Sequence, residues 1–258
     1  MTDYSVKIKD LLKKMSLEQK AALCDGEDFW NLKSFEELGI PSIMVSDGPH
    51  GLRKRDPNQK SSGLLGSVPA VCYPTAATTA CSWDRELLKE MGEAIALECK
   101  NQGIAVVLGP GVNIKRSPLC GRNFEYFSED PLLTGELATA FIQGVQSKGI
   151  GTSIKHYAVN NQETRRMTVD SVVDERALRE IYLTGFEIAV KEGKPGAVMS
   201  AYNAVNGQYA NENPFLLQQI LRKEWGFQGF VVTDWGGGND FTEGIRNGSN
   251  LQMPGCGL

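Results

Sequence analysis

Short apolar runs alternate with amphipathic stretches along this chain. Residues 42–47, 105–109, 152–156, 197–202 and 230–234 are brief, apolar and rich in β-branched side chains, and 250–254 is a weaker run of the same kind. Continuous rather than alternating hydrophobicity predicts strands buried on both faces. The stretches between them carry helical spacing. In 84–102, Leu88, Met91, Ile95 and Cys99 fall on one face, and Gly103 supplies the stop. Leu133, Leu137, Phe141 and Val145 make one stripe over 132–148, ending at Gly149, and Leu178, Tyr182, Phe186 and Val190 do the same over 174–192, ending at Gly193. Asn213-Pro214 reads as an N-cap followed by proline at the first helical position, opening a helix that runs to Trp225.

This cadence predicts parallel strands joined by crossover helices, which either a barrel or an open doubly wound sheet satisfies. No GxGxxG opens the first strand–helix unit, which weakens a dinucleotide-binding reading. Polar residues stand at the strand C-terminal ends instead: Asp47, Lys155-His156, Tyr202-Asn203 and Asp234-Trp235. In a barrel those ends meet at one mouth, where barrel active sites lie. The expected fold class is therefore α/β, a (β/α)8 TIM-type barrel. Six or seven strands can be counted rather than eight, so the barrel is expected to be incomplete at the C-terminus of a single domain over 1–258. The polar stretch from Lys54 to Gly66 is the expected mobile loop.

Charge narrows the function classes. The 27 basic and 31 acidic residues include no basic run, which argues against nucleic acid and leaves a neutral or polar small molecule as the fitting substrate. With only His50 and His156, a His-rich metal site is excluded by count, and the six cysteines are scattered with no CxxC pair, so neither metal nor cofactor is expected. No run reaches the roughly eighteen apolar residues of a membrane span. The N-terminus has no apolar leader region, which predicts a cytoplasmic protein.

Asp234 ends an otherwise apolar run, Gly229 to Gly236, where a structural need for an acid is not evident; the bland alternative is an Asp that caps the next turn. Trp235 beside it is either core or a platform for the apolar face of a sugar ring. Lys155 cannot be buried without a partner, so it salt-bridges Glu125, Glu163 or Asp47, or forms a hydroxyl-binding pair with His156. Asp47 opens Asp47-Gly-Pro-His-Gly-Leu-Arg53; a carboxylate accepts two vicinal hydroxyls at once, though Asp before Gly is also a common turn. Arg122, in a segment dense in charge and aromatics, can bind a hydroxyl or hold a carboxylate. Glu163, Arg165 and Arg166 read as a structural ion network.

Together and in this order, the segments SDGPHGLR (46–53), GPGVNIKRSPLCGRNFEYFSEDP (109–131), KHYAVNNQE (155–163), VMSAYNAVNG (198–207) and GFVVTDWGG (229–237) resemble glycoside hydrolase family 3, the β-glucosidase family, and QMPG (252–255) resembles the end of that family's barrel. The resemblance covers nearly the whole chain from about residue 10. It implies a retaining β-glycosidase acting on a β-linked glucoside or related saccharide, with Asp234 as nucleophile. It further implies that Asp47, Arg122, Lys155, His156, Met199, Tyr202 and Trp235 line the sugar subsite. In the family the acid/base usually comes from a later α/β sandwich domain, a partner absent from this chain; Glu125, Glu129, Glu163 and Asp240 are candidates by type only. The chain is thus expected to hold the nucleophile half of a site and to turn over poorly alone. Two rivals stay open: a non-catalytic sugar-binding fragment, and a Schiff-base lyase using Lys155.

Overall fold

The computed structural model describes residues 4–56 and 66–256. Eight strands are present among them: β1 (Met44–Asp47), β2 (Ile104–Leu108), β3 (Gly151–Tyr157), β4 (Asp170–Ser171), β5 (Ala197–Ser200), β6 (Ala204–Val205), β7 (Gln208–Tyr209) and β8 (Phe230–Thr233). β1, β2, β3, β5 and β8 form one all-parallel sheet in that order. Each new strand is added to the same side, so the order never reverses, as it would at the switch point of an open doubly wound sheet. β4, β6 and β7 make a separate small sheet beside it.

Single bridges carry the wall further. Leu251 bridges Val232 of β8 in parallel, Gln252 bridges Asp25, Gly26 bridges Leu32 in antiparallel fashion, and Asn31 bridges Met44 of β1. The ring of backbone bonding thus returns to its first strand through residues 25–32, where the hydropathy pattern predicts no strand. That segment is short and polar, and it pairs only because both of its neighbours are already in place. The expected strand at 250–254 shrinks to the bridging pair 251–252. The fold is the β/α barrel expected. The stretch expected to be mobile falls mostly at 57–65, outside the described residues.

Period-two alternation sorts the strand residues. Val45, Val106, Leu108, Met199 and Val232 point into one cluster with Trp30 and Leu251. Their neighbours Val107, Ile154, Val198 and Val231 pack outward against helices, and this double burial is why the runs read as continuously apolar. The helices start and stop as their caps dictate. Asp84 accepts from the backbone N–H groups of Glu86 and Leu87 to open Arg85–Gln102, and Gly103 closes it in the left-handed conformation. Asp130 caps Pro131–Ser147. These two helices cross closely: a Cβ on Gly144 would meet the Lys89 carbonyl oxygen at 2.1 Å. Asn213 accepts from Phe215 and Leu216 to open Phe215–Glu224, as expected. The helical run from Glu175 includes wide turns and ends at Gly193 as expected, but the left-handed residue that closes it is Lys194 rather than the glycine. Gly193 instead presses against Ile142, where an added Cβ would sit at 3.3 Å. No helix among the described residues is long and apolar enough to cross a membrane.

Candidate active site

A cavity of about 460 Å³ opens at the C-terminal ends of the barrel strands, within the range of small-molecule sites. Alternation places its floor. Asp47, Leu108 and Asp234 each lie two residues beyond an inward-facing apolar residue, at Val45, Val106 and Val232, and all three line the cavity. Lys155 lies two residues beyond Ser153 on β3. Regular alternation would turn His156 outward, but the pairing of β3 with β5 shifts register between Ile154 and Tyr157, and both Lys155 and His156 face the cavity. Arg122, Met199, Tyr202 and Trp235 complete it, so every residue expected at the subsite lies on one wall or another of a single pocket.

The turn after β1 is built by glycine. Gly48 has φ of 122°, and a Cβ there would meet the Gly51 carbonyl oxygen at 2.1 Å. The tight turn lets Arg53 fold back onto Asp47, 3.2 Å from Oδ2, while Lys155 Nζ donates to Oδ1 at 2.6 Å. Burial opposes the charge on Asp47, but Lys155 and Arg53 outweigh it and hold the carboxyl below its ordinary value. Lys155 also stands 3.7 Å from Glu125 Oε2. The salt-bridge reading of Lys155 therefore holds, with Asp47 and Glu125 as partners, and the same side chain lines the cavity; its ion-paired setting is not the apolar pocket that Schiff-base chemistry needs.

Arg122 divides its fork among three partners. Its Nε pairs with Glu125, its Nη2 bonds His156 Nε2 at 2.8 Å, and its Nη1 lies 4.0 Å from Asp234 Oδ2. Asp234 stands 3.6 Å from His156 Nε2 and accepts the Trp235 backbone N–H at 2.8 Å. Burial raises the Asp234 carboxyl above its ordinary value, against Arg122, the Trp235 N–H, Lys155 and Tyr202. Arg122 and Lys155 favour the ionised form but do not outweigh that burial. His156 does not contribute, because burial, Arg122 and Lys155 push it well below its usual value and leave it uncharged.

Aromatic residues wall one side. Trp235 donates Nε1–H to the Phe29 carbonyl at 2.8 Å, and its ring lies 5.3 Å from that of Trp30. Arg166 lies over the Tyr202 ring at 4.6 Å from its centroid, and the Tyr202 hydroxyl donates to the Trp235 carbonyl at 2.8 Å.

The candidate acids separate. Glu125 and Glu163 line the cavity, but Glu125 is paired with Arg122 and Lys155, and Glu163 with Arg166 at 2.8 Å. Asp240 caps the helix Phe241–Asn247, and neither it nor Glu129 lines the cavity. Sequence reading passed over His50, Arg53, Trp30 and Phe124 as lining residues. His50 and Arg53 share the glycine-bounded turn with Asp47, so the motif itself was the signal. Trp30 had none, since it arrives only through ring closure. Burial lowers His50 to about 4. Among the described residues no group of three or more His, Cys, Asp or Glu is placed to hold a metal ion.

The profile of the glycosyl hydrolase family 3 N-terminal domain matches residues 12–247. The thermostable β-glucosidase B of Acetivibrio thermocellus is 57% identical over 250 residues, which are 97% of this chain and 33% of that protein. An exo-α-(1→6)-L-arabinopyranosidase of Bifidobacterium longum is 51% identical over 94% of this chain and 32% of its own length. The solved structure of β-glucosidase 3B from Thermotoga neapolitana in complex with glucose superposes with a TM-score of 0.91 at 44% identity, covering 97% of this chain and 37% of that one. The chain thus spans about a third of the length of these relatives.

Proposed function

The chain belongs to glycosyl hydrolase family 3, and from that premise we propose that it supplies the sugar subsite and the nucleophile of a retaining β-glucosidase, with Asp234 attacking the anomeric carbon. One observation carries this reading. Among the described residues, Asp234 is the cavity carboxylate with no close cation: its nearest basic contacts are 3.6 and 4.0 Å away, whereas Asp47, Glu125 and Glu163 are each tied into an ion pair. A nucleophile needs a lone pair that is not already committed to a strong donor.

In this mechanism Asp47 and Lys155 bind vicinal hydroxyls, Trp235 offers its face to the ring, and Arg122 and Met199 hold the sugar over Asp234. As positive charge develops at the anomeric carbon, the Asp234 carboxylate forms a glycosyl ester and the leaving oxygen departs with a proton. Retaining enzymes place the proton donor about 5–5.5 Å from the nucleophile. Glu125 and Glu163 are occupied by cations, so the donor is assigned to the part of the relatives' length that this chain does not match, which the family resemblance places in an α/β sandwich domain. Glucosides are the first substrates to test, with α-L-arabinopyranosides beside them, because relatives named for that activity match 94% of this chain.

A dinitrophenyl 2-deoxy-2-fluoro-β-glucoside tests the assignment on this chain directly, since dinitrophenolate leaves without an acid. Mass spectrometry of the digested protein should find one sugar on the peptide holding Asp234 and none in Asp234→Ala. A label elsewhere, or one that persists in the variant, removes Asp234 from the role. The ion-paired state of the other cavity acids also favours a second reading, a chain that binds sugar without turning it over. Calorimetry with glucose beside a cellobiose assay separates the two, and rapid cellobiose hydrolysis by the 258-residue chain would refute the split site.

A further inference from the structure

His156 is fixed at four points, only one of them at the cavity. Asn113 clamps its backbone, accepting from His156 N at 2.7 Å and donating to His156 O at 2.9 Å. Arg122 carries only N–H groups, so at 2.8 Å it donates and His156 Nε2 accepts. The ring hydrogen then sits on Nδ1, which donates to the Tyr126 hydroxyl 3.1 Å away. Tyr126 is fully buried and lies outside the cavity lining. Its ring packs on Gly111, where a Cβ would come within 2.9 Å of it, so it cannot withdraw into that side. Asn160 Nδ2 donates to the same hydroxyl at 3.1 Å and to Glu163 at 3.2 Å. Glu163 binds Arg166, and Arg166 covers the ring of Tyr202, beside Asp234. A continuous circuit of contacts therefore runs from one flank of Asp234 to the other, passing behind the cavity lining at Tyr126 and Asn160.

We infer that Tyr126, backed by Asn160, is a positioning residue that holds His156 with its hydrogen on Nδ1, so that Nε2 faces the cavity as an acceptor. The consequence is chemical. A sugar hydroxyl that displaces Arg122 from Nε2 donates to it, and Arg122 is left aimed at Glu125 and Asp234. Were the hydrogen on Nε2 instead, it would face the Arg122 N–H groups and drive them from the pocket. The binding part of this inference rests on the sugar-site reading above; the hydrogen placement does not.

Because the chain has only two histidines, imidazole ¹⁵N NMR of the whole 258-residue protein resolves both rings, and a His50→Gln sample assigns them. In the unsubstituted protein at neutral pH, His156 should show a protonated Nδ1 and a bare Nε2. Tyr126→Phe keeps the ring and removes only the hydroxyl; a protonated-Nε2 population should appear, and glucose affinity by calorimetry should fall about tenfold. Asn160→Ala should move both readouts the same way by less. A protonated Nε2 in the unsubstituted protein overturns the inference, as does an unchanged nitrogen pattern in Tyr126→Phe. If Tyr126→Phe does not fold, the pattern in the unsubstituted protein and in Asn160→Ala decides. Failure of the unsubstituted protein to bind glucose or an arabinopyranoside would count against the sugar site alone, with the nitrogen pattern still deciding the role of Tyr126.

Discussion

Asp47 and Asp234 stand in one cavity, end equivalent strands and share one side-chain chemistry, yet their surroundings push them in opposite directions. At the Asp47 corner, Lys155 at 2.6 Å and Arg53 at 3.2 Å overcome burial and hold the carboxyl low. At the Asp234 corner the side chain is more enclosed, 13% exposed against 28%, its nearest guanidinium is 4.0 Å away, and burial wins. A carboxylate saturated by cations is a fixed acceptor suited to gripping hydroxyls. One that is desolvated and only loosely paired keeps a reactive lone pair. The proposed division into binder and nucleophile rests on this contrast, as with other carboxylate pairs whose surroundings separate their roles.

The largest expected effect breaks the contrast at its reactive end. Asp234→Asn should lower the rate of labelling by the fluoroglucoside roughly 10⁴-fold or more, as loss of a covalent nucleophile does. The same substitution should raise the melting temperature at neutral pH. A carboxyl whose folded value is raised favours the fold at low pH and loses that contribution as pH rises through the folded value, so the gain should vanish toward pH 4. An Asp234→Asn protein less stable than its parent at pH 7 would argue against the desolvated environment.

Removing the fixed acceptor comes next. Asp47→Asn leaves Lys155, 3% exposed, with Glu125 at 3.7 Å as its anionic partner among the described residues. Breaking a buried pair costs several kcal/mol, and the partial exposure of Asp47 reduces this to about 2 kcal/mol, read as a lower urea midpoint with an unchanged slope. Glucose affinity should fall with it, while Asp234 is still labelled at saturating reagent.

Arg122→Lys sharpens the comparison further. It keeps a charge near Asp234 but cannot serve Glu125, His156 and Asp234 at once. Losing one or two charge-assisted hydrogen bonds should weaken sugar binding about tenfold in calorimetry. The smallest effect is in the acid limb of stability. The depressed Asp47 carboxyl contributes stability that is present above its unfolded value and lost as pH falls through the folded one. Asp47→Asn should therefore flatten the fall in melting temperature below about pH 4, the unfolded aspartate range.

Much of the site was legible because strand alternation and strand ends are local properties. Val45 and Asp47, or Val232 and Asp234, are two residues apart, and once the strands are known their side chains must share a face. The stop at Gly103 and the helix start at Asn213-Pro214 followed from capping chemistry for the same reason, whereas the Asp84 and Asp130 caps emerged only in the structure. The turn over 48–51 was visible as a motif, but that it returns Arg53 to Asp47 was not.

The remainder depended on residues far apart in sequence. His156 would have faced away from the pocket by counting alone; a register shift decided otherwise. Trp30 and the polar segment 25–32 join the wall because Gln252 and Met44 are there to pair with them. Tyr126 sits behind His156, 30 residues later in the chain. The sequence by itself determined which residue types reach the barrel mouth, since periodicity and capping act over a few residues. Only the tertiary structure decided which acid is paired, which is left desolvated and which nitrogen of His156 carries the hydrogen, because charge pairing and desolvation are set by neighbours that the chain brings together only on closing the barrel.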